Sequence, residues 1–304
     1  MEIPAQSSPT FRITVQDESA FSTGKLTPLK HNYDQHPLMQ LDRLEQLAKA
    51  LEPTKQCRFV DRGVKVSSEF SHQPVSPDGR DLDQVFRQIE TPGTWIALYD
   101  IQTNPEYQHF LTQIMSTVQH LVAAEGSIRD IRGFIFISAP PSVTPFHIDR
   151  ENNFWMQIRG RKTINVWDRN DRDVVPSSDI ERFIAYRSLD NVKLKDEFLA
   201  RSHEYDCGAG DGVYFPSTTP HMTRSNPDPQ GGNAVSISIG INFYSDVTRR
   251  NAYVHTANGV LRRLGFNPQS PHDKANAGPV RYQLGKAIVA WRKRFSGYTP
   301  PPGF

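Results

Sequence analysis

The chain is poor in cysteine, with only Cys57 and Cys207 in 304 residues. Two thiols so far apart make neither a disulfide framework nor a zinc ribbon, and a reducing compartment, the cytoplasm, is the expectation. No apolar run approaches the roughly 18 residues that cross a bilayer, so no membrane partner is expected. The start, Met-Glu-Ile-Pro-Ala-Gln, has no basic patch followed by an apolar block, and a secretory leader is not expected either. Internal repeats are absent, as is low complexity beyond Pro300–Pro302. Net charge is small, formally +2, but unevenly spread: ten Lys/Arg and one acid, Asp273, lie from Arg249 onward. No nucleic-acid-binding motif accompanies that basic stretch, so nucleic acid is not expected as a partner. A solvated helix face accounts for the charge; an acidic partner is the alternative.

A hydrophobic content of 37% is enough for a packed core. The 23 prolines favour loops and turns, and with them an α+β, mainly β protein over a helical bundle. The length suits one large domain with embellishments. Residues 1–30 read as a polar, irregular arm. Residues 37–51 space Leu38, Leu41, Leu44, Leu47, Ala48 and Leu51 three or four apart, as an amphipathic helix does. Residues 57–67 read as extended, 81–89 as a short helix, 94–101 as a strand and 105–124 as a second amphipathic helix. After Gly126 the texture changes. Segments 133–138, 153–159, 163–167, 212–215 and 235–244 are strand-like and separated by turn signals, which suggests a sandwich or jelly roll. A helical insertion falls in 178–201. Residues 256–264 and 280–295 are helical again, the latter with Leu284, Ile288, Trp291 and Phe295 as an apolar stripe that predicts packing. Three parts follow: an N-terminal segment 1–125, a core 126–248 and a basic helical extension 249–304.

The chemistry concentrates in Thr144-Pro-Phe-His147-Ile-Asp149 and in His221. Residues two apart on a strand share a face. An extended 147–149 therefore turns His147 and Asp149 the same way, toward one metal ion. With a distant second imidazole they make a 2-His-1-carboxylate set, which leaves coordination positions open, as non-haem Fe(II) oxygenases require. A lone His-x-Asp is weak evidence, since on the order of one such triplet arises by chance in ordinary composition. The context adds weight. His221 follows Gly210-Asp-Gly-Val-Tyr-Phe-Pro216-Ser-Thr-Thr-Pro220, a turn, a strand and a proline-bounded loop. That places it at the mouth of a barrel.

The density of motifs over residues 130–245 resembles the Jumonji C branch of the cupin superfamily, in particular the asparaginyl hydroxylase type that modifies hypoxia-inducible factor. The likeness rests on Thr144-Pro-x-His147-x-Asp149, Asn153-Phe154, Gln157-Ile158, Gly160, Lys162, Gly210-Asp211, Tyr214, Pro216, His221 and Ile241-Asn242-Phe243. The resemblance implies a double-stranded β-helix (jelly-roll, cupin) core with flanking N- and C-terminal helices. It implies Fe(II) held by His147, Asp149 and His221, with 2-oxoglutarate as cosubstrate and O2 as oxidant. Lys162 would meet the distal carboxylate of the cosubstrate, with a second hydrogen bond from Thr144. Asn153 and Asn242 would lie near the cosubstrate and iron, and Tyr99 would supply a tyrosine hydroxyl. Trp155 and Tyr244 stand where the relative has phenylalanine and tryptophan and would shape the substrate pocket.

The implied reaction hydroxylates a C–H bond of a protein side chain or an amino-acid-like metabolite, releasing succinate and CO2. On a carbon bearing nitrogen it would end in demethylation. The relatives dimerise through C-terminal helices, so a homodimer is expected. The loop 226–233, the charged segment 193–204 and the pair Arg150-Glu151 depart from the relative, so its substrate does not carry over. Three other readings remain open: a non-catalytic cupin-like binding or regulatory protein, a zinc or manganese cupin, and a DNA-binding regulator using the basic tail.

Overall fold

The computed structural model describes residues 10–60, 63–66, 68, 72–225, 235–272 and 278–304. In chain order the strands are β1 (Ile13–Val15), β2 (Thr27–His31), β3 (Cys57–Phe59), β4 (Trp95–Leu98), β5 (Ile128–Ser138), β6 (Ser142–His147), β7 (Asn152–Arg159), β8 (Lys162–Val166), β9 (His203–Cys207), β10 (Asp211–Phe215), β11 (His221–Ser225) and β12 (Ser236–Ser245). The helices are α1 (Leu41–Leu51), α2 (Leu82–Arg87), α3 (Pro105–Val118), α4 (Ser177–Tyr186), α5 (Asp246–Arg263) and α6 (Pro279–Phe295). The strands form two antiparallel sheets. One has eight strands in the order β1-β2-β10-β7-β12-β5-β4-β3, and the other four, β6-β11-β8-β9. This is the β-rich α+β class expected from the sequence.

Period-two alternation in the central strands builds the molecule outward from the larger sheet. In β12, Ile237, Ile239, Ile241 and Phe243 enter the main hydrophobic core. Their neighbours Ser238, Gly240, Asn242 and Tyr244 face a cavity on the other side. β5 does the same, with Ile135 and Ile137 in the core and Phe134 and Phe136 on the cavity. β7 follows with Phe154, Met156 and Ile158 inward against Asn153 and Trp155. Helices α1 and α3 cover the core face with Leu44, Leu47, Phe110 and Ile114. Such burial supplies most of the drive to fold, roughly 1.5–3 kcal/mol per large apolar side chain. The smaller sheet closes the cavity from the opposite side through β6 and β11.

Helix starts follow local chemistry. Asp81 and Gln84 form a capping box at α2, Asn104 caps α3 with proline at its first position, and Ser245 and Thr248 box the start of α5. Each cap satisfies backbone donors that have no partner within the helix.

Several expectations change. The described part of the arm, from residue 10, is largely turns, as expected, but it carries two strands: β1 and β2 pair with one another, and β2 continues the sheet along β10. Among the described residues of the 57–67 segment, only 57–59 form a strand. β9 and β11 were not foreseen, since His203–Cys207 and His221–Ser225 are polar and lack the β-branched signature. The helix expected at 256–264 begins ten residues earlier, at Asp246. The predicted stripe on α6 is wrong. Trp291 and Phe295 are 60% and 67% exposed, and the buried positions are Gly285 and Val289. Gly285 sits so close to α5 that an added Cβ would lie 1.9 Å from the Tyr253 carbonyl oxygen. A missing side chain, which a hydrophobic pattern does not register, sets that contact. Cys57 and Cys207 are both free and buried. Among the described residues no helix is long and apolar enough to cross a membrane. The loop 226–233 lies outside the described residues.

Candidate active site

His147 ends β6 and His221 begins β11. The two strands are antiparallel neighbours with these residues in register, so the imidazoles meet across the ladder with ring centroids 4.1 Å apart. Asp149 lies two residues past the strand end rather than within it. Its backbone carbonyl accepts the Thr218 amide at 2.7 Å, which ties the loop to the turn before β11. The carboxylate oxygens stand 4.0 Å from His147 Nε2 and 3.7 Å from His221 Nε2. One ligand atom from each of the three residues falls within 4.8 Å of the others. The sequence expected a shared strand face. The structure reaches the same convergence through a strand end and a loop.

The second nitrogen of each imidazole is committed to the backbone. His147 Nδ1–H donates to the Pro145 carbonyl at 2.8 Å, and His221 Nδ1–H to the Thr219 carbonyl at 3.0 Å. Those bonds select the Nδ1–H tautomer and aim the Nε2 lone pairs at Asp149, the arrangement a metal-ligating histidine needs. Burial, with help from neighbouring His147 and against the pull of Asp149, pushes the pKa of His221 down to about 4. The imidazole therefore stays neutral, as a ligand must. The donor set of two imidazoles and one carboxylate fits a first-row divalent ion with open positions.

These groups line a cavity of about 550 Å3 that lies between the two sheets. Thr144, Asn153, Trp155, Asn242, Tyr244 and Tyr99 all line it, so every side chain singled out in the sequence is gathered there except Lys162. Lys162 is 3% exposed and reaches the wall through Ser238, whose Oγ accepts its ammonium at 3.2 Å. Burial pushes its pKa down to about 7. Thr144 accepts a hydrogen bond from Thr223 Oγ1 at 2.9 Å, so its own hydroxyl proton is available to a further acceptor. The Oδ1 atoms of Asn153 and Asn242 are buried with no hydrogen-bond partner among the described residues. Gly240 lies between them, and a Cβ there would crowd both amides at 3.3 Å. A nearly unpaired buried cation asks for an anionic guest, and the unsatisfied amide oxygens of Asn153 and Asn242 ask for hydrogen-bond donors, so the cavity is built for a polar occupant.

Tyr99 meets His72 Nε2 through its hydroxyl at 2.6 Å, with the Arg58 guanidinium over its ring at 5.1 Å. Burial raises its pKa strongly, so it remains a neutral hydroxyl. Tyr244 is likewise raised, by burial and then by Glu151. Glu151, beside Asp149, has its own pKa raised by burial first and by Asp149 second. Ser238, Gly240, Thr223, Arg132, Arg150 and Arg187 belong to the cavity wall and were not picked out from the sequence as site residues. For Ser238 and Gly240 the signal was present: in Ser-Ile-Ser-Ile-Gly-Ile-Asn-Phe they share the face of Asn242. Arg187 comes from the α4 insertion, which nothing local ties to the site.

No protein-family model matches the chain, and no curated protein matches it. Solved structures similar to it include YcfD, a ribosomal oxygenase from Escherichia coli, at 17% identity and TM-score 0.47, over 93% of this chain and 68% of that one. The same enzyme in complex with cobalt and 2-oxoglutarate aligns at 16% identity and TM-score 0.49, over 94% and 69%. Its complex with cobalt and succinic acid aligns at 17% and 0.47, over 94% and 69%. These likenesses are distant, and the chemistry of the site follows from its own side chains.

Proposed function

We propose that this protein is an Fe(II)- and 2-oxoglutarate-dependent dioxygenase. It would hydroxylate a C–H bond of a protein side chain or an amino-acid-like metabolite and release succinate and CO2. The observation that carries this is one convergence. Two backbone-anchored imidazoles and a carboxylate aim their ligand atoms at one point. They share a cavity wall with Ser238, which accepts the ammonium of buried Lys162, a cation with no acid paired to it among the described residues.

When bound, the iron and 2-oxoglutarate supply the oxidation, in which one atom of O2 goes to the substrate carbon and the other to succinate as CO2 leaves. The chain's own residues hold and orient. His147, Asp149 and His221 would hold the metal, a donor set that leaves coordination positions for cosubstrate and oxygen. Lys162, assisted by Ser238 and the Thr144 hydroxyl, meets the distal carboxylate with a charge-assisted bond. Asn153 and Asn242 donate from their amides, and Tyr99 offers a neutral hydroxyl. Trp155 and Tyr244 shape the space in which the substrate lies, and the enclosing sheets keep bulk water out.

In this reading residues 126–248 form a double-stranded β-helix catalytic core, with 1–125 and 249–304 packed on it. The motif likeness to asparaginyl hydroxylases extends to the metal and lysine positions but not to the loop that would meet the substrate. A cytoplasmic location fits two free thiols. A second copy docking on α6 is favoured by the exposure of Val280, Trp291 and Phe295. Truncation near residue 250 followed by sizing tests it, and an unchanged mass sinks the dimer.

The test of function is an anaerobic absorption titration of apoprotein with Fe(II) and then 2-oxoglutarate. A new band in the wild type, lost in His147→Ala and demanding more 2-oxoglutarate in Lys162→Ala, is the expected result. No band, with zinc or no metal retained, would move the protein to the non-catalytic binding class.

A further inference from the structure

Arg150 is 5% exposed and lines the same cavity. Its Nε and Nη1 atoms are buried with no hydrogen-bond partner among the described residues. The Phe304 ring covers its guanidinium at 5.2 Å. A guanidinium stays charged in a protein, and a buried charge without a counter-ion is costly. Half-buried Arg262, by contrast, is held by Glu181 through two bonds of 3.0 Å. Among the described residues no carboxylate lies within ion-pair distance of Arg150; Glu151, next in sequence, acts on it only from further away. Two further arginines, Arg187 and Arg132, face the same space. Arg132 has Asp100 at 3.7 Å.

This cation lies apart from the one at Lys162. Lys162 bonds Ser238, near the start of β12, whereas Arg150 lies by Tyr244, near its end. Six residues of strand separate those two positions by roughly 20 Å. One small dicarboxylate cannot serve both ends with the same carboxylate. Because Arg150 directly follows Asp149, an anion held there lies within reach of the metal cluster.

We infer that Arg150 is a substrate-binding residue, and that the substrate of this oxygenase presents a carboxylate to it. The inference rests on the oxygenase reading above. The guanidinium is a planar fork of N–H donors, which a carboxylate matches with two parallel hydrogen bonds, and Tyr244 faces Glu151 beside it. The same pair offers acceptors to an ammonium group, so the wall suits an amino-acid head group. The carboxylate comes either from the α-position of a free amino acid or from an acidic side chain in a peptide.

The experiment measures succinate release by the Fe(II)- and 2-oxoglutarate-loaded protein. The probes are the free L-amino acids, their α-amides, and N-acetyl-Gly-Asp-Gly and N-acetyl-Gly-Glu-Gly amides. The expected result is stimulation by at least one carboxylate and not by its amide. In Arg150→Gln, kcat/KM for that probe should fall about 30-fold or more, with partial recovery in Arg150→Lys. The affinity for 2-oxoglutarate in the anaerobic titration should stay at the wild-type value. Stimulation by free amino acids places the α-carboxylate on Arg150, and stimulation by the peptides places a side chain there. Equal stimulation by acids and amides, no stimulation by any probe, or loss of 2-oxoglutarate affinity in Arg150→Gln overturns the inference while leaving the oxygenase reading intact. A wild type that binds neither Fe(II) nor 2-oxoglutarate sinks that reading instead. Carboxylate-dependent thermal protection of apoprotein, wild type against Arg150→Gln, then still decides whether Arg150 holds a carboxylate.

Discussion

Replacing Lys162 by methionine should make the metal-free protein more stable while crippling cosubstrate binding. The ammonium is buried with a single hydroxyl partner, and its pKa has fallen from the ordinary 10.5 to about 7. Each tenfold loss of proton affinity corresponds to about 1.4 kcal/mol, so holding this cation below pH 7 costs up to about 5 kcal/mol. Relaxation of the surroundings reduces the measurable share to about 2–3 kcal/mol. The sign follows from proton counting. Between about pH 7 and 10.5 the unfolded chain keeps the proton and the folded chain releases it, so wild-type stability from this group rises with pH across that window. The advantage of Lys162→Met is therefore largest at pH 7 and below and fades toward pH 10.5. Methionine is similar in volume and carries no charge to desolvate. Cosubstrate binding runs the other way. A carboxylate needs the charged lysine, so the dissociation constant for 2-oxoglutarate should climb about tenfold per pH unit above 7 in the wild type. In Lys162→Met it should be weak and flat with pH. Urea unfolding at about pH 6.5 and 9.5, on either side of the folded-state titration, tests the first half. Fe(II)/2-oxoglutarate titrations at the same two pH values test the second. A variant less stable than wild type at the lower pH, or a wild-type affinity indifferent to pH, would refute the reasoning.

Other perturbations probe the frame. Gly285→Ala forces a methyl against the Tyr253 carbonyl and should cost about 2 kcal/mol or more by overpacking, read as a lower urea midpoint. Arg262→Ala strands the buried Glu181 carboxylate, which is 4% exposed, and should cost about 3–5 kcal/mol. The double variant Glu181→Gln/Arg262→Ala should recover much of that in a double-mutant cycle, and additive losses would argue against the pair. His255 is held neutral down to about pH 3, chiefly by burial, and His272 beside it is also well below its usual value. Their unfolded forms take up protons first, so stability should fall as pH drops from about 6.5 toward 3, by up to ~1.4 kcal/mol per pH unit for each. His255→Gln should flatten that slope in pH-dependent thermal melts.

How much was legible depended on the range of the signal. His147 and Asp149 declare themselves because they lie two apart next to a turn. His221 and Lys162 were found through motif spacing rather than through any physical pattern of their own, and Lys162 in particular looks like a surface residue between Arg159 and Arg161. Its burial arises only when β8 pairs with β9 and β11. The stripe on α6 misled because apolar residues at helical spacing say that a face exists, not that anything covers it. Gly285, with no side chain to count, marks the true contact. β9 and β11 carry polar side chains and become strands because their neighbours offer backbone partners, a non-local cause.

The sequence by itself determined the β-rich α+β class and the identity of the three side chains that converge. Alternation in β5, β7 and β12 dictates two-faced strands, and side-chain chemistry at 147, 149 and 221 dictates what such strands could hold. Tertiary structure alone decided the rest: the register that sets His147 against His221, the loop that swings Asp149 to them, and the desolvation of Lys162. It also decided the placement of Arg150 and Arg187 on one wall. Those features depend on pairings between segments far apart in the chain, and on the loss of water when they close. No local pattern of residues encodes either.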